Sequence, residues 1–143
     1  MLRSIKSLQD LGGKRVILRC DFNVPVADGR IVDDGRIRAA LPTITHLIES
    51  GARLVICSHL GRPDGKANPE YSLEPVAARL EELLGQPVVF AEETTGAQAK
   101  AASKLLEDGG VALIENLRFS AKETSGDELE RAEFAKALAE LGD

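Results

Sequence analysis

Apolar residues fall along this chain in two alternating patterns. Short unbroken runs occur at Val16-Ile17-Leu18 within 15–20, at Leu54-Val55-Ile56-Cys57, at Val88-Val89-Phe90 after Pro87, and at Val111-Ala112-Leu113-Ile114. They read as strands buried on both faces, because a strand with one wet face would alternate apolar and polar positions. Between them apolar residues return every three or four positions, the period of a helix with one buried face. Ile37, Ala40, Leu41, Ile44, Leu47 and Ile48 predict a first helix that ends at Gly51. Leu73, Val76, Ala77, Leu80, Leu83 and Leu84 predict a second, capped by Ser72 and stopped by Gly85. Alanine-rich 97–106 predicts a third, and about 128–141 a fourth, with Leu129, Ala132, Phe134, Leu138 and Leu141 available for burial. Pro42 falls inside the first helical pattern, where it either kinks the helix or splits off its first turn. Asp28-Gly29 signals a turn.

Strand and helix alternate four times, which argues for parallel pairing, since right-handed crossovers return each strand in the same direction. All four carboxyl ends then share one edge, the edge where open α/β sheets bind ligands. Each polar load in the sequence sits at such an end. Asp21 and Asn23 follow the first strand, just before Pro25; Ser58-His59-Leu60-Gly61-Arg62-Pro63-Asp64 follows the second; Asn116 and Arg118 follow the fourth. Arg36 and Arg38 join them from the loop and first helical turn after strand one. Arginines gathered on one rim suit a compact anion such as a phosphate or a carboxylate. A solvated turn is the plainer reading of the segment around His59 and Arg62. Asp21 is open to two readings, a salt bridge that balances the arginines or an acceptor for a substrate hydroxyl.

Composition narrows the function classes. The chain has 143 residues, 43% hydrophobic and 29% charged, enough for one domain with a single core. A net charge of -5 with 3% aromatic residues offers neither a phosphate-tracking surface nor base-stacking platforms, so no nucleic-acid partner is expected. No apolar run approaches the roughly 18 to 20 residues of a membrane span, and the start lacks the apolar core of a signal peptide, so a cytoplasmic protein without a membrane partner is expected. Cys20 and Cys57 lack metal-ligand spacing and read as buried, reduced thiols. The segment from Gly61 to Ala67 has the look of a Walker A loop, but it is one residue short between its glycines and carries Ala67 where the magnesium-binding hydroxyl belongs. No dinucleotide fingerprint follows a strand. Asp21-Phe22-Asn23-Val24 is similar to the strand-end motif of haloacid-dehalogenase-like phosphotransferases, yet Asn23 replaces the catalytic acid. The two histidines give no metal site, and His46 reads as an ordinary helix residue.

Five motifs in order carry a closer resemblance. They are Asp21-Phe22-Asn23-Val24-Pro25-Val26, the segment from Arg36 to Ile44, Ser58-His59-Leu60-Gly61-Arg62-Pro63, the segment from Tyr71 to Ala77, and Glu115-Asn116-Leu117-Arg118-Phe119. Together they resemble the N-terminal domain of the phosphoglycerate kinase family over about 7–141. Cys20, Gly35 and a less acidic loop at 122–126 depart from the family pattern. The resemblance implies a doubly wound, Rossmann-like three-layer α/β/α fold with strand order 3-4-2-1-5-6, of which four strands are present. It implies reversible phosphoryl transfer between 1,3-bisphosphoglycerate and MgADP, giving 3-phosphoglycerate and MgATP. Carried over by position, His59, Arg62 and Arg118 hold the non-transferred phosphate. Asp21 and Asn23 fix the glycerate, Arg36 is the catalytic arginine, and Arg19 is a further member of the basic patch. The nucleotide and its metal are expected on a C-terminal domain that these residues do not include, so neither cofactor nor metal is expected here. The 143 residues are accordingly expected to be the substrate-binding part of a longer, monomeric enzyme, inactive alone and able to self-associate. A stand-alone anion-binding or regulatory module and a small haloacid-dehalogenase-like phosphatase are the alternatives.

Overall fold

The structure, a computed structural model, describes residues 2–143. Its strands are β1 (Arg15–Arg19), β2 (Val26–Ala27), β3 (Arg30–Ile31), β4 (Arg53–Cys57), β5 (Val88–Ala91) and β6 (Val111–Ile114). Its α-helices are α1 (Gly35–Glu49), α2 (Glu74–Leu84), α3 (Ala97–Leu105) and α4 (Glu128–Ala139). Four strands form one parallel sheet in the order β1-β4-β6-β5. Counting only these four, the order is 1-2-4-3, the same as the first four places of the order the resemblance implies, read from the other side. β1 and β4 pair in register from Arg15 opposite Arg53 to Arg19 opposite Cys57, so the loops after these two strands emerge side by side.

Helices cover both faces of the sheet, which is why β4 from Leu54 onward and all of β6 are apolar. Leu54 and Ile56 of β4, with Val111 and Leu113 of β6, pack with Ile37, Ile44 and Leu47 of α1 and Val76, Ala77 and Leu80 of α2. On the other face Val55, Cys57, Ala112 and Ile114 pack with Ala99 of α3 and Phe134 of α4. Each large side chain buried this way contributes roughly 1.5 to 3 kcal/mol. The result is a doubly wound three-layer α/β/α fold. Among the described residues no helix is long and apolar enough to cross a membrane.

Local structure departs from the sequence pattern in four places. α1 runs unbroken through Pro42, which is exposed on the helix surface. The residues around Asp28-Gly29 form more than a turn: β2 and β3 make a hairpin, with φ of 51° at Asp28 and 73° at Gly29. Two positive φ angles in a two-residue loop match the twist of paired strands, but two-residue strands are too short to show a period. α2 begins at Glu74, and Ser72 caps it from just outside by accepting the Glu74 N–H at 3.1 Å. α4 buries Phe134, with Leu138 half-buried and Leu141 buried just past its end, while Leu129 is 79% exposed and Ala132 is also exposed. Phe134, Leu138 and Leu141 share one stripe; Leu129, five residues before Phe134, falls well off it.

Candidate functional site

The ends of β1, β4 and β6 are held level beyond the sheet ladder. The Cys20 N–H donates to the Cys57 carbonyl at 3.0 Å, and the Leu117 N–H donates to the Ser58 carbonyl at 3.0 Å. Ser58 has no solvent exposure, and its hydroxyl accepts the Phe22 N–H at 3.0 Å. One buried serine thus joins the starts of three loops, which fixes the floor on which the polar side chains stand.

The loop after β4 is fitted closely to its neighbours. Gly61 has φ of 59°, and a Cβ there would lie 2.5 Å from the Tyr71 ring, so both conformation and space require glycine. The side-chain oxygen of Asn23 accepts the Gly61 N–H at 2.9 Å, which staples the loop after β1 to the loop after β4. Further along, the Gly65 N–H donates to the Arg118 carbonyl at 3.1 Å. Arg62 and Arg118 consequently line one cleft of about 320 Å³ with Asp64, Gly65 and Thr124.

Asn116 frames this arrangement from beneath. It is fully buried, its amide donates to the Leu60 carbonyl at 2.7 Å and the Tyr71 carbonyl at 2.9 Å, and its oxygen accepts the Arg118 N–H at 3.0 Å. The rim role expected for it from sequence is therefore replaced by an internal one. Beside it the carboxylate of Glu115, also buried, accepts from the Leu73 N–H at 2.8 Å, the Ser72 hydroxyl at 2.7 Å and the Asn116 N–H at 2.8 Å. That puts a negative charge at the start of α2, where the helix dipole favours one.

The charged rim residues fall into two groups. In the first, Arg36 donates from Nη1 to the Asp21 carboxylate at 3.3 Å and to the Asn23 carbonyl at 2.7 Å. In the second, Glu123 accepts from Arg19 Nη2 at 3.1 Å while its other oxygen lies 3.7 Å from Arg118 Nε. His59 stands within the field of both. Burial is the main cause that lowers its pKa from 6.5, and the Arg118 and Arg19 charges add to the effect, with Asp21 and Glu123 opposing. Its imidazole is therefore neutral at pH 7. Arg62 is exposed and takes part in no ion pair among the described residues. Among the described residues three buried side-chain atoms lack a hydrogen-bond partner, His59 Nδ1, Arg118 Nε and Glu123 Oε2, and all three belong to this rim. The arginines outnumber the carboxylates here although the chain carries -5 overall, which is the electrostatic signature of an anion site.

Arg38 does not join them. Its Nε donates to Asp34 at 3.0 Å, and Asp34 is shared with Arg79, whose guanidinium lies 2.9 Å away. These two hydrogen-bonded arginines hold the Asp34 carboxyl below its ordinary 3.8. They lie in a larger cleft of about 670 Å³ between the β2–β3 hairpin and α2, where Arg38 and Arg79 are already paired with Asp34 and Glu82 while Arg30, among the described residues, is not. Size would favour that cleft; the buried polar atoms without partners favour the rim. Burial pushes the Cys20 thiol up to about 12 and the Cys57 thiol up to about 11, so both are free but unreactive cysteines. Sequence reasoning missed Ser58, Glu115 and Glu123. The first two could have been flagged as polar residues attached to fully apolar strands; nothing in the polar loop distinguishes Glu123.

Three comparisons bear on this geometry. The family model described as phosphoglycerate kinase matches residues 5–143. A phosphoglycerate kinase of Clavibacter michiganensis is 63% identical over 142 residues, which is 99% of this chain and 35% of that protein. One of Bifidobacterium longum is 54% identical over 142 residues, again 99% and 35%. The crystal structure of phosphoglycerate kinase from Pyrococcus horikoshii superposes with a TM-score of 0.86 at 41% identity, covering 100% of this chain and 35% of that one. The structure of phosphoglycerate kinase from Coxiella burnetii gives 0.79 at 41% identity, covering 97% and 33%. The chain thus spans about a third of the length of the relatives it matches.

Proposed function

This chain belongs to the phosphoglycerate kinase family, and we propose that it forms the 3-phosphoglycerate-binding part of an enzyme transferring phosphate between 1,3-bisphosphoglycerate and ADP. The observation that carries the reading is the cleft lined by Arg62 and Arg118 at the carboxyl ends of the strands, with the Arg118 charge acting on His59, whose Nδ1 lacks a partner. In it Arg62, Arg118 and His59 bind the phosphate that stays on the substrate, with Arg19 as a further positive charge. Asp21 accepts from the 2-hydroxyl. Asn23 supports the glycerate chiefly by fixing the Gly61 loop, since its oxygen is already engaged there. Arg36 is near enough to Asp21 to neutralise charge on the transferring phosphoryl group, the effect that makes arginine valuable in phosphoryl transfer.

MgADP or MgATP, supplying the phosphoryl acceptor or donor, is held by parts of the enzyme beyond the third represented here. The reading further takes the enzyme to be cytoplasmic and glycolytic. Its test is calorimetric titration with 3-phosphoglycerate. Arg62→Ala and Arg118→Ala should each weaken binding by roughly 1.5 to 3 kcal/mol, the scale of hydrogen bonds to charged groups, with solvent screening pulling exposed Arg62 lower. Unchanged affinity in both variants at low salt removes these residues from the site.

A further inference from the structure

We propose that Glu123 is a positioning residue of this anion site, tying Arg19 to Arg118 so that the Arg118 guanidinium faces the cleft it shares with Arg62. The inference rests on the reading of that cleft as the substrate phosphate site. Glu123 sits in the turn that follows the short 3-10 helix Leu117–Phe119, and its side chain is only 11% exposed. A carboxylate so far removed from water needs cationic partners. Two arginines from different strand ends supply them. Oε1 takes a hydrogen bond from Arg19 Nη2 at 3.1 Å, and Oε2 faces Arg118 Nε at 3.7 Å. Both Oε2 and that Nε are buried without another partner, so nothing else competes for the pair.

The consequence lies in the shape of a guanidinium. Its five N–H groups point outward in one plane, so turning the Nε edge toward a buried carboxylate leaves the edge between the two terminal nitrogens free. Arg118 retains 32% side-chain exposure while its Nε has none, and the cleft it lines is bounded by Arg62, Asp64, Gly65 and Thr124. Its backbone is fixed at both ends, the N–H by Asn116 and the carbonyl by Gly65. Side-chain rotation is the freedom that remains, and Glu123 restricts it before ligand arrives, which lowers the ordering cost of binding.

A carboxylate beside an anion site also repels the anion. The two effects have opposite signs, and substitution tells them apart. Titration of the full-length enzyme with 3-phosphoglycerate should show Glu123→Gln weakening binding by roughly two- to fivefold, the scale of one partly exposed ion pair. Glu123→Asp should recover part of the loss, KM for 3-phosphoglycerate should rise with kcat largely kept, and melting curves should match the parent. Equal or tighter binding by Glu123→Gln, with Arg62→Ala still weakened, overturns the positioning role and leaves the site intact. A parent enzyme that ignores 3-phosphoglycerate overturns the substrate reading instead. Exchange of the Arg118 Nε proton by NMR then decides on the tie without ligand: slow in the parent and fast in Glu123→Gln supports it, and equal rates overturn it.

Discussion

The side-chain amide of Asn116 donates to the backbone carbonyl of Leu60 at 2.7 Å from a position with no solvent exposure. A residue at the end of β6 therefore holds the loop after β4, and through Tyr71 and Arg118 it also holds the approach to α2 and its own following turn. Every polar group of the Asn116 side chain is used inside the protein. The loops that carry Arg62 and Arg118 are framed by this one amide, which makes it a stability residue placed beneath the proposed binding site.

Asn116→Ala should consequently destabilise the fold by roughly 2 to 4 kcal/mol. The substitution leaves the buried carbonyls of Leu60 and Tyr71 without their donors, each worth about 1 to 3 kcal/mol when unsatisfied. A shift of the urea midpoint at constant slope measures it. A change too small to move the midpoint means that water enters and replaces the amide.

Much of this was legible in sequence because the sheet is buried on both faces. Unbroken apolar runs marked all four main strands, and the parallel direction that follows from helical crossovers placed Asp21, His59 and Arg118 on one edge before any coordinates. Strand order was not derivable that way, since periodicity says which residues are buried and nothing about which strand lies next. Asn116 and Arg38 show where side-chain chemistry misleads. Both are polar residues near strand ends, yet one is consumed by backbone carbonyls and the other by Asp34. Asp21 is open to two readings in sequence, and the structure has it in the ion pair with Arg36.

On the proposed reading, that pair bears on catalysis. Arg36 and Asp21 have side chains 56% and 64% exposed, and ion pairs this open contribute little to stability, so Arg36 parts from Asp21 at small cost. Its strongest contact is then available for charge that develops during transfer. In the intact enzyme Arg36→Ala should lower kcat by roughly 10³-fold or more with a far smaller effect on KM. Steady-state kinetics with 3-phosphoglycerate and ATP provide the check. Normal kcat with a raised KM would make Arg36 a plain binding residue.

His59 gives the site a pH dependence. Folding lowers its pKa below the 6.5 of a free imidazole, so the unfolded chain binds the proton more readily. The stability that comes from keeping it neutral is complete above pH 6.5 and is lost as pH falls toward the lowered value. This window lies above those of Asp34 and Asp143, whose carboxyls are held below 3.8 by Arg38 and Arg79 and by Arg15 respectively. Chemical denaturation between pH 7.5 and 5 should therefore show a decline that His59→Gln reduces. Saturating 3-phosphoglycerate should also reduce it, because a bound phosphate stabilises the imidazolium. Parallel pH curves for parent and variant would assign the decline to other groups.

The open side of the sheet yields the last prediction. Among the described residues β1 has β4 as its only strand neighbour, and residues of a strand direct their backbone groups alternately to the two sides. The Lys14 carbonyl and the Cys20 N–H both bond toward β4, so Val16 and Leu18 do as well, and Arg15, Ile17 and Arg19 face outward. At Arg15 the outward position is filled. Its carbonyl accepts the Asp143 N–H at 2.8 Å and its N–H donates to the Asp143 carboxylate at 2.8 Å. Among the described residues Ile17 and Arg19 have no such partner, and Ile17 lines a groove of about 380 Å³ with Leu11, Val16 and Ala139, flanked by Lys14, Arg15 and Asp143. An edge with unpaired backbone and apolar flanks pairs with other chains. Hydrogen exchange on these 143 residues at low concentration should find Val16 and Leu18 protected and Ile17 labile. Raising the concentration should slow exchange at Ile17 in step with a rise in sedimentation coefficient. Strong protection of Ile17 in a sample that stays monomeric would mean that the edge is closed from within the chain, and the alternation assigned to β1 is the premise that would fall.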